Sequence, residues 1–592
     1  MAPFPPIPPA FRHFAPAGLL LAAAALLLLP IAPLSADDRL APAVLLILAA
    51  AGLFWMALDR RGKARSRVIW SLLAILVGML RVGYEYDRHN YVLYHSLIEH
   101  ARDPSFLATD WFVRASAGFN GYYFFVRACA LFPPALLPPL FFGLWLLGFA
   151  ALALLFRLIA HRIIPRFARA ELCAAAAYLF VLLTYAPGRW SLVALGDHGF
   201  FYPFVNPQVA GMLLGLLAAF LIAAGRPLAG SLPLGLAINL HLSSGQHFFI
   251  LCAVLVLLAR PLQLPLSLPR GLAALALALL IGLPNLLPTL RNQLAAPPTP
   301  ETDIPYILIF GYFRHPHHTI PSTWPLKRFI CFGIVLALGA AGWLLKRPHG
   351  PLDRAHGAIV ATCLLLMFAG WFFVERTPID FVGKSQFFRL SVVAQILCAP
   401  YIAWLLARPL PLPRNIASLD STRLKRHAWA LAATIALVAA GVALGRPFHL
   451  VARPGVPVEQ WVAKNTPPDA VFILPIRTYG IGLNEFPMRT GRGLVADLHR
   501  FPHQGVDYLT WFKRLCDLFG VECDLNPKAV RALGRANLTR MSQQLSLDQL
   551  RQLRDRYGAT HLVRQVQYPL AGRDPVYRDQ EFLVYDLRPA AE

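Results

Sequence analysis

The sequence predicts a polytopic α-helical membrane protein that ends in a soluble α/β domain on the non-cytoplasmic side. Three observations carry this reading. First, 57% of the 592 residues are hydrophobic and the mean hydropathy is +0.52. A soluble core cannot absorb that much apolar surface, so lipid must be the solvent. Second, apolar runs close to the ~20 residues that cross ~30 Å of hydrocarbon recur along the first three quarters of the chain. Third, from about residue 451 the composition turns to an ordinary soluble mixture.

Residues 1–16 are expected in the cytoplasm. The runs 17–34 and 41–58 follow, and the first ends in Leu-Ser-Ala-Asp-Asp, which leaves a cleaved signal peptide open. The most basic loop, 59–67, is placed inside by the positive-inside rule. The run 68–83 then delivers an outer loop, 85–132. The basic turns 161–169, 226, 260–270, 346–354 and 408–427 fall inside, while 188–206, 291–325 and 375–389 fall outside. The runs 134–158 and 207–224 are further spans, and 232–247 reads as a tight outer turn between short helices at 228–240 and 248–258. The last run, 428–444, puts the tail outside, for a total of roughly thirteen spans. The transmembrane domain is therefore expected over 17–448 and a periplasmic domain over 449–592, in a bacterial inner membrane. The same bias explains the net charge of +24 without nucleic acid, because the basic residues sit in short loops rather than along a soluble face.

In the tail, 458–464 reads as a short helix, 470–474 as a strand, 505–519 as an amphipathic helix, and 561–563 and 582–585 as strands. Ser546 and Gln549 form a capping box that opens a helix over 547–557, and Gly558 ends it. Gly480-Ile-Gly482 fails as a dinucleotide fingerprint, because Glu485 stands where a third glycine is needed. The basic-aromatic stretch 489–503 reads as a loop docked on the membrane domain. Six of the eight cysteines fall in or beside apolar runs; Cys516 and Cys523 lie in the tail. A periplasmic location would allow them to pair, whereas a helical spacing of seven would hold them apart.

Ionisable groups near spans are costly and mark function, and here they gather on the outer face. Glu85, Asp87, Arg88 and His89 follow the third run, and Asp110 and Trp111 continue that loop. The two carboxylates, flanking one residue, can face a cation or a hydroxyl; the competing reading is a solvated loop held by ion pairs. Asp197 and His198, then Asn206 and Gln208, top the next helices. Asn239, His241, Gln246 and His247 share one turn. His315, His317 and His318 beside Arg314 could ligate a metal, but imidazole with arginine suits a phosphate better. Arg376, Lys384 and Arg389 complete a cationic, aromatic rim that fits a lipid phosphate.

Together these features resemble the GT-C superfamily of membrane glycosyltransferases. Glu85 and Asp87 sit where that family's catalytic carboxylate falls. Asp103-Pro through Asp110-Trp-Phe112 is similar, and Trp461 through Asp469 looks like the linker that opens the outer domain. More narrowly, the tail and the Arg314 to His318 string resemble an uncharacterised bacterial family of membrane proteins of unknown function. The sequence departs from the superfamily in its extra hairpin over 17–58 and in the Glu-Tyr-Asp form of its acidic motif. The resemblance implies transfer of a sugar from a polyprenyl-phosphate donor to an envelope acceptor. Asp87, with Glu85, would be the base. Arg88, His89, Asp110, Trp111, Asp197, His198, His241, Arg314, His317, Lys384 and Arg389 would bind substrate, with or without a divalent cation. The alternatives are a transporter, an envelope-assembly protein, or an inactive scaffold of the same fold.

Overall fold

The computed structural model describes residues 63–86, 91–117, 122–165, 167–185, 191–295, 306–409, 448–450, 455–476, 483–502, 507–534 and 538–589. The expected runs 17–34, 41–58 and 428–444, and the site candidates Asp87, Arg88 and His89, lie outside them. The molecule is mostly helical. The N-terminal part holds α1 (Lys63–Val82), a short strand β1 (Tyr84–Glu85), and the helices α2 (Tyr91–Arg102), α3 (Trp111–Ala117) and α4 (Tyr123–Ala130). The helical bundle continues with α5 (Leu137–Ile163), α6 (Phe167–Leu183), α7 (Pro207–Ala223), α8 (Pro227–Leu240), α9 (Leu242–Leu257) and α10 (Leu268–Ala295). It closes with α11 (Leu326–Leu345), α12 (Pro351–Trp371), α13 (Asp380–Ser385) and α14 (Leu390–Ala407).

Five stretches are long and apolar enough to cross a bilayer: Pro134–Ile163, Leu268–Arg291, Leu326–Leu345, Pro351–Arg376 and Asp380–Ala407. Four more helices are apolar but shorter, among them Pro207–Ala223, Pro227–Leu240 and Leu242–Leu257. At 1.5 Å per residue these reach at most about 25 Å, less than the ~30 Å of hydrocarbon. Among the described residues the structure thus supports five candidate spans, against the roughly thirteen that run-counting and loop charge suggest.

The short helices are held by close packing. The chain turns at the single extended residue His241, between α8 and α9. Gly245 then lies so close to α8 that a Cβ there would sit 2.4 Å from Ile238 Cα. Two prolines, Pro284 and Pro288, interrupt α10. Asn239 repairs that ladder, donating to Ile281 O (2.7 Å) and accepting from Asn285 N (3.2 Å). This is how proline is tolerated in an apolar helix, and it makes Asn239 a packing residue.

The tail contains β2 (Phe448–His449), α15 (Pro457–Asn465), β3 (Val471–Ile473), α16 (Phe486–Thr490), β4 (Gly493–Leu494), α17 (Asp507–Phe519), α18 (Pro527–Leu533), α19 (Leu538–Gln543), α20 (Leu547–Tyr557), β5 (His561–Gln565), β6 (Tyr577–Arg578) and β7 (Phe582–Asp586). Its sheet has the order β4-β3-β5-β7-β6. β3 pairs parallel with β4 and β5, while β7 pairs antiparallel with β5 and β6. Ser546 accepts from Gln549 N at the head of α20, and Gly558 (φ +70°) closes it.

A strand pair and an aromatic cluster help fix the tail on the helices. β1 pairs parallel with β2, Tyr84 opposite Phe448 and Glu85 opposite His449. Further along, Phe313 inserts among the rings of Phe512, Trp511 and Phe519 from α17, with centroids 5.1, 6.0 and 6.4 Å away.

Candidate anion-binding site

Four segments converge where the tail meets the helices: residues 191–206, the head of α9, the loop 306–325 and the stretch 380–389. The last is clamped to α9, because Ser385 O accepts from His247 Nε2 (2.6 Å) and from Ser243 Oγ (3.3 Å), while Gln246 Nε2 donates to Ser385 Oγ (3.0 Å). Gln246 and His247 therefore position backbone. Gln386 then adopts a left-handed conformation (φ 51°) that turns Arg389 inward.

The half-buried Arg389 guanidinium donates from Nε to Gln386 Oε1 (2.8 Å) and from Nη1 to Gln208 Oε1 (3.0 Å). Nη1 also lies 3.1 Å from His241 Nε2. His241 Nδ1 accepts from Ser244 N (3.0 Å) as the cap of α9. That role leaves the ring proton on Nε2, so an imidazole N–H and a guanidinium N–H aim at the same space. The buried Gln208 Nε2 has no acceptor. Guanidinium, imidazole and amide donors gathered around one spot suit an anion.

Beside this pocket stands the histidine cluster. The rings of His198 and His318 stack at 4.7 Å, and His317 lies 4.1 Å from His318. His318 Nδ1 bonds Gly196 O (2.5 Å). Arg314 donates to Leu498 O (3.0 Å) and His499 O of the tail, contacts His315 Nε2, and lies 5.0 Å from the Phe501 ring. Burial holds His198, His315, His317 and His318 below the ordinary imidazole range. For His318 the neighbouring His317 and the fields of Arg389 and Arg314 push the same way. Burial also lowers Arg314 to about 10. Lys384 is exposed and its ammonium lies 5.1 Å from the Tyr306 ring. Among the described residues no carboxylate pairs with Arg314, Lys384 or Arg389. Asp197 is already spent on Arg328.

Ligand atoms of His315, His317 and His318 lie within 4.8 Å of one another, close enough to ask whether they hold a metal. The surroundings argue against it. Arg314 donates into His315 Nε2, which puts that ring's proton on Nδ1. Two guanidinium fields then repel any cation. An anion fits the same donors without conflict.

An apolar groove of about 300 Å³ lies between α5 and α7. Trp145, Phe149, Phe201, Leu213 and Leu240 line it, and so do Asn206 and Pro207. Gln208 follows Pro207 in the chain and His241 follows Leu240, so two of the anion donors are sequence neighbours of groove-lining residues. Leu144 and Leu147 on its rim are exposed on the apolar outside of α5.

The remaining sequence candidates lie elsewhere. Asp110, fully buried, accepts from Arg500 Nη2 (2.9 Å), Leu494 N (2.9 Å) and Val113 N (2.9 Å). It joins the tail to the segment before α3. The Arg514 guanidinium lies over Trp111, 4.9 Å from the indole ring centre. Glu85 is buried in β1, where its N donates to Pro203 O (2.6 Å). Gln208 and Gln386, the neutral partners of Arg389, belong to the pocket although no charge or motif marks them. The stretch 489–503 does dock on the helices, through Leu498, His499 and Arg500.

A family model for a domain of unknown function (DUF6798) matches residues 454–518. The match runs from α15 into α17 and includes the backbone that receives Arg314 and the side chain that receives Asp110. No curated protein matches the chain.

Proposed function

We propose that this protein transfers a sugar from a polyprenyl-phosphate donor to an envelope acceptor at the outer face of a bacterial inner membrane, in the manner of a GT-C enzyme. The observation that carries the reading is a set of donors, with no carboxylate ion-paired to Arg314 or Arg389 among the described residues, next in sequence to the lining of an apolar groove. That pairing suits an amphiphile with a phosphate head and a long hydrocarbon tail. Arg389, His241 and Gln208 take the phosphate, Arg314 and the histidines widen the positive field, and the groove takes the first isoprene units. Each charge-assisted hydrogen bond of this kind contributes about 1.5–3 kcal/mol. The same donors stabilise the lipid phosphate as it leaves, a role whose loss costs about 10²–10³ in rate. The base is a carboxylate of the first outer loop, Asp87, which takes the proton of the acceptor hydroxyl.

The test uses the full-length protein in membranes. Arg389→Ala is expected to lose binding of a polyprenyl phosphate. Asp87→Asn is expected to keep that binding and lose sugar transfer, seen as loss of a surface glycan at unchanged protein level. Wild-type glycan in both variants overturns the proposal.

A further inference from the structure

The tail contains a second chemical feature, remote from the anion pocket. A spacing of seven residues along a straight helix separates Cα atoms by about 10 Å, beyond the ~7 Å that a disulfide spans. Here α17 stops before the second cysteine. Gly520 takes φ +67°, its N donates to Asp517 O (3.0 Å), and Val521 N donates to Cys516 O (3.1 Å). This is a helix end closed by a left-handed glycine. It turns the chain back along the last turn of α17. Cys516 sits in the hydrophobic core and Cys523 packs against that core from the half-buried side. The turn brings Cys523 back beside Cys516, and each thiol is the largest influence on the other's acidity.

We propose that Cys516 and Cys523 form an intramolecular disulfide in the mature protein. The hydrogen bond from Cys516 favours the Cys523 thiolate and disfavours that of Cys516. Cys523, the more accessible, is therefore the attacking group. Its thiolate attacks one sulfur of an external protein disulfide and releases one thiolate of that oxidant. Cys516 then loses its proton, attacks the Cys523 sulfur and releases the second. Two electrons and two protons pass to the oxidant, which leaves as a dithiol.

The bond staples the end of α17. That helix carries Trp511, Phe512 and Phe519, the rings that hold Phe313. Phe313 precedes Arg314, so the staple braces one cation of the anion pocket from behind. The proposal rests on the outward placement of the tail, where thiols are oxidised, and not on sugar transfer.

The chain itself supplies a clean assay. Arg514 and Lys528 flank both cysteines with no basic residue between them. Trypsin therefore releases both sulfurs in one peptide, 515–528. Full-length protein is alkylated in intact cells before lysis, then digested. The expected peptide is unalkylated and two hydrogens lighter than the dithiol, and it takes two alkyl groups only after reduction. A doubly alkylated peptide without reduction overturns the proposal. Cys523→Ser supplies the second readout. It is expected to speed protease cleavage within the tail to the rate seen in reduced wild type, with no further effect of reductant. A reductant-insensitive wild type that matches Cys523→Ser also overturns it.

Discussion

His318 shows how one side chain reports on its site. Its imidazole is held below the ordinary range by burial first, then by His317, Arg389 and Arg314. His198, His315 and His317 are held down as well, each by burial first. The unfolded chain takes up these protons near the ordinary value of 6.5, whereas the folded chain does not. Their contribution to stability is thus complete above about 6.5 and is lost as pH falls below it. The ligand-free protein is expected to melt progressively lower as pH drops from about 7 to about 5, with a shallower loss in His318→Gln. A bound anion reverses the preference by favouring the charged imidazole. Inorganic phosphate should therefore protect more at the acid end of a thermal-shift series. Equal protection at every pH would detach the histidines from the anion pocket.

At the scale of elements, the tail is joined to the N-terminal part through Asp110 and Arg500, neither more than 1% exposed. Removing one partner of such a pair leaves a buried charge and costs about 3–5 kcal/mol. Arg500→Ala is expected to lower the melting temperature sharply and to open the tail to protease, while Arg551→Ala, in an exposed pair, should change little. Within the bundle, a Cβ on Gly342 would meet Tyr401 O at 2.3 Å. Gly342→Ala should force α11 away from α14 and cost about 1–3 kcal/mol in thermal stability.

Which elements the sequence discloses follows from the range of the forces that form them. The helix α20 is written locally, in Ser546, Gln549 and Gly558. The strands β3, β5 and β7 show as β-branched or aromatic runs. The two-residue strands β1, β2 and β4 carry no pattern, since their partners and not their residues make them strands. Gln208 joins the pocket only because Arg389, 181 residues later, reaches it. The charged members were legible because a cation beside a span is expensive wherever it folds. Helix lengths were not legible from hydropathy alone, since apolar runs continue through turns such as the one at His241.

For the whole molecule, the outward placement of the tail is the claim on which the location of the pocket depends. Protease added to spheroplasts is expected to remove a C-terminal epitope while the membrane stays sealed. Protection until the membrane is opened would put the tail, and the pocket beneath it, on the cytoplasmic side.

The pairing of β1 with β2 also sets an order of events. Residues 84–85 leave the ribosome early, yet their partner strand is 448–449. Residues 84–85 must therefore wait, with one edge open, until the tail has begun to emerge. The Arg314 donors wait in the same way for Leu498 and His499. A chain stalled before residue 448 lacks both the strand that pairs with residues 84–85 and the carbonyls that receive Arg314.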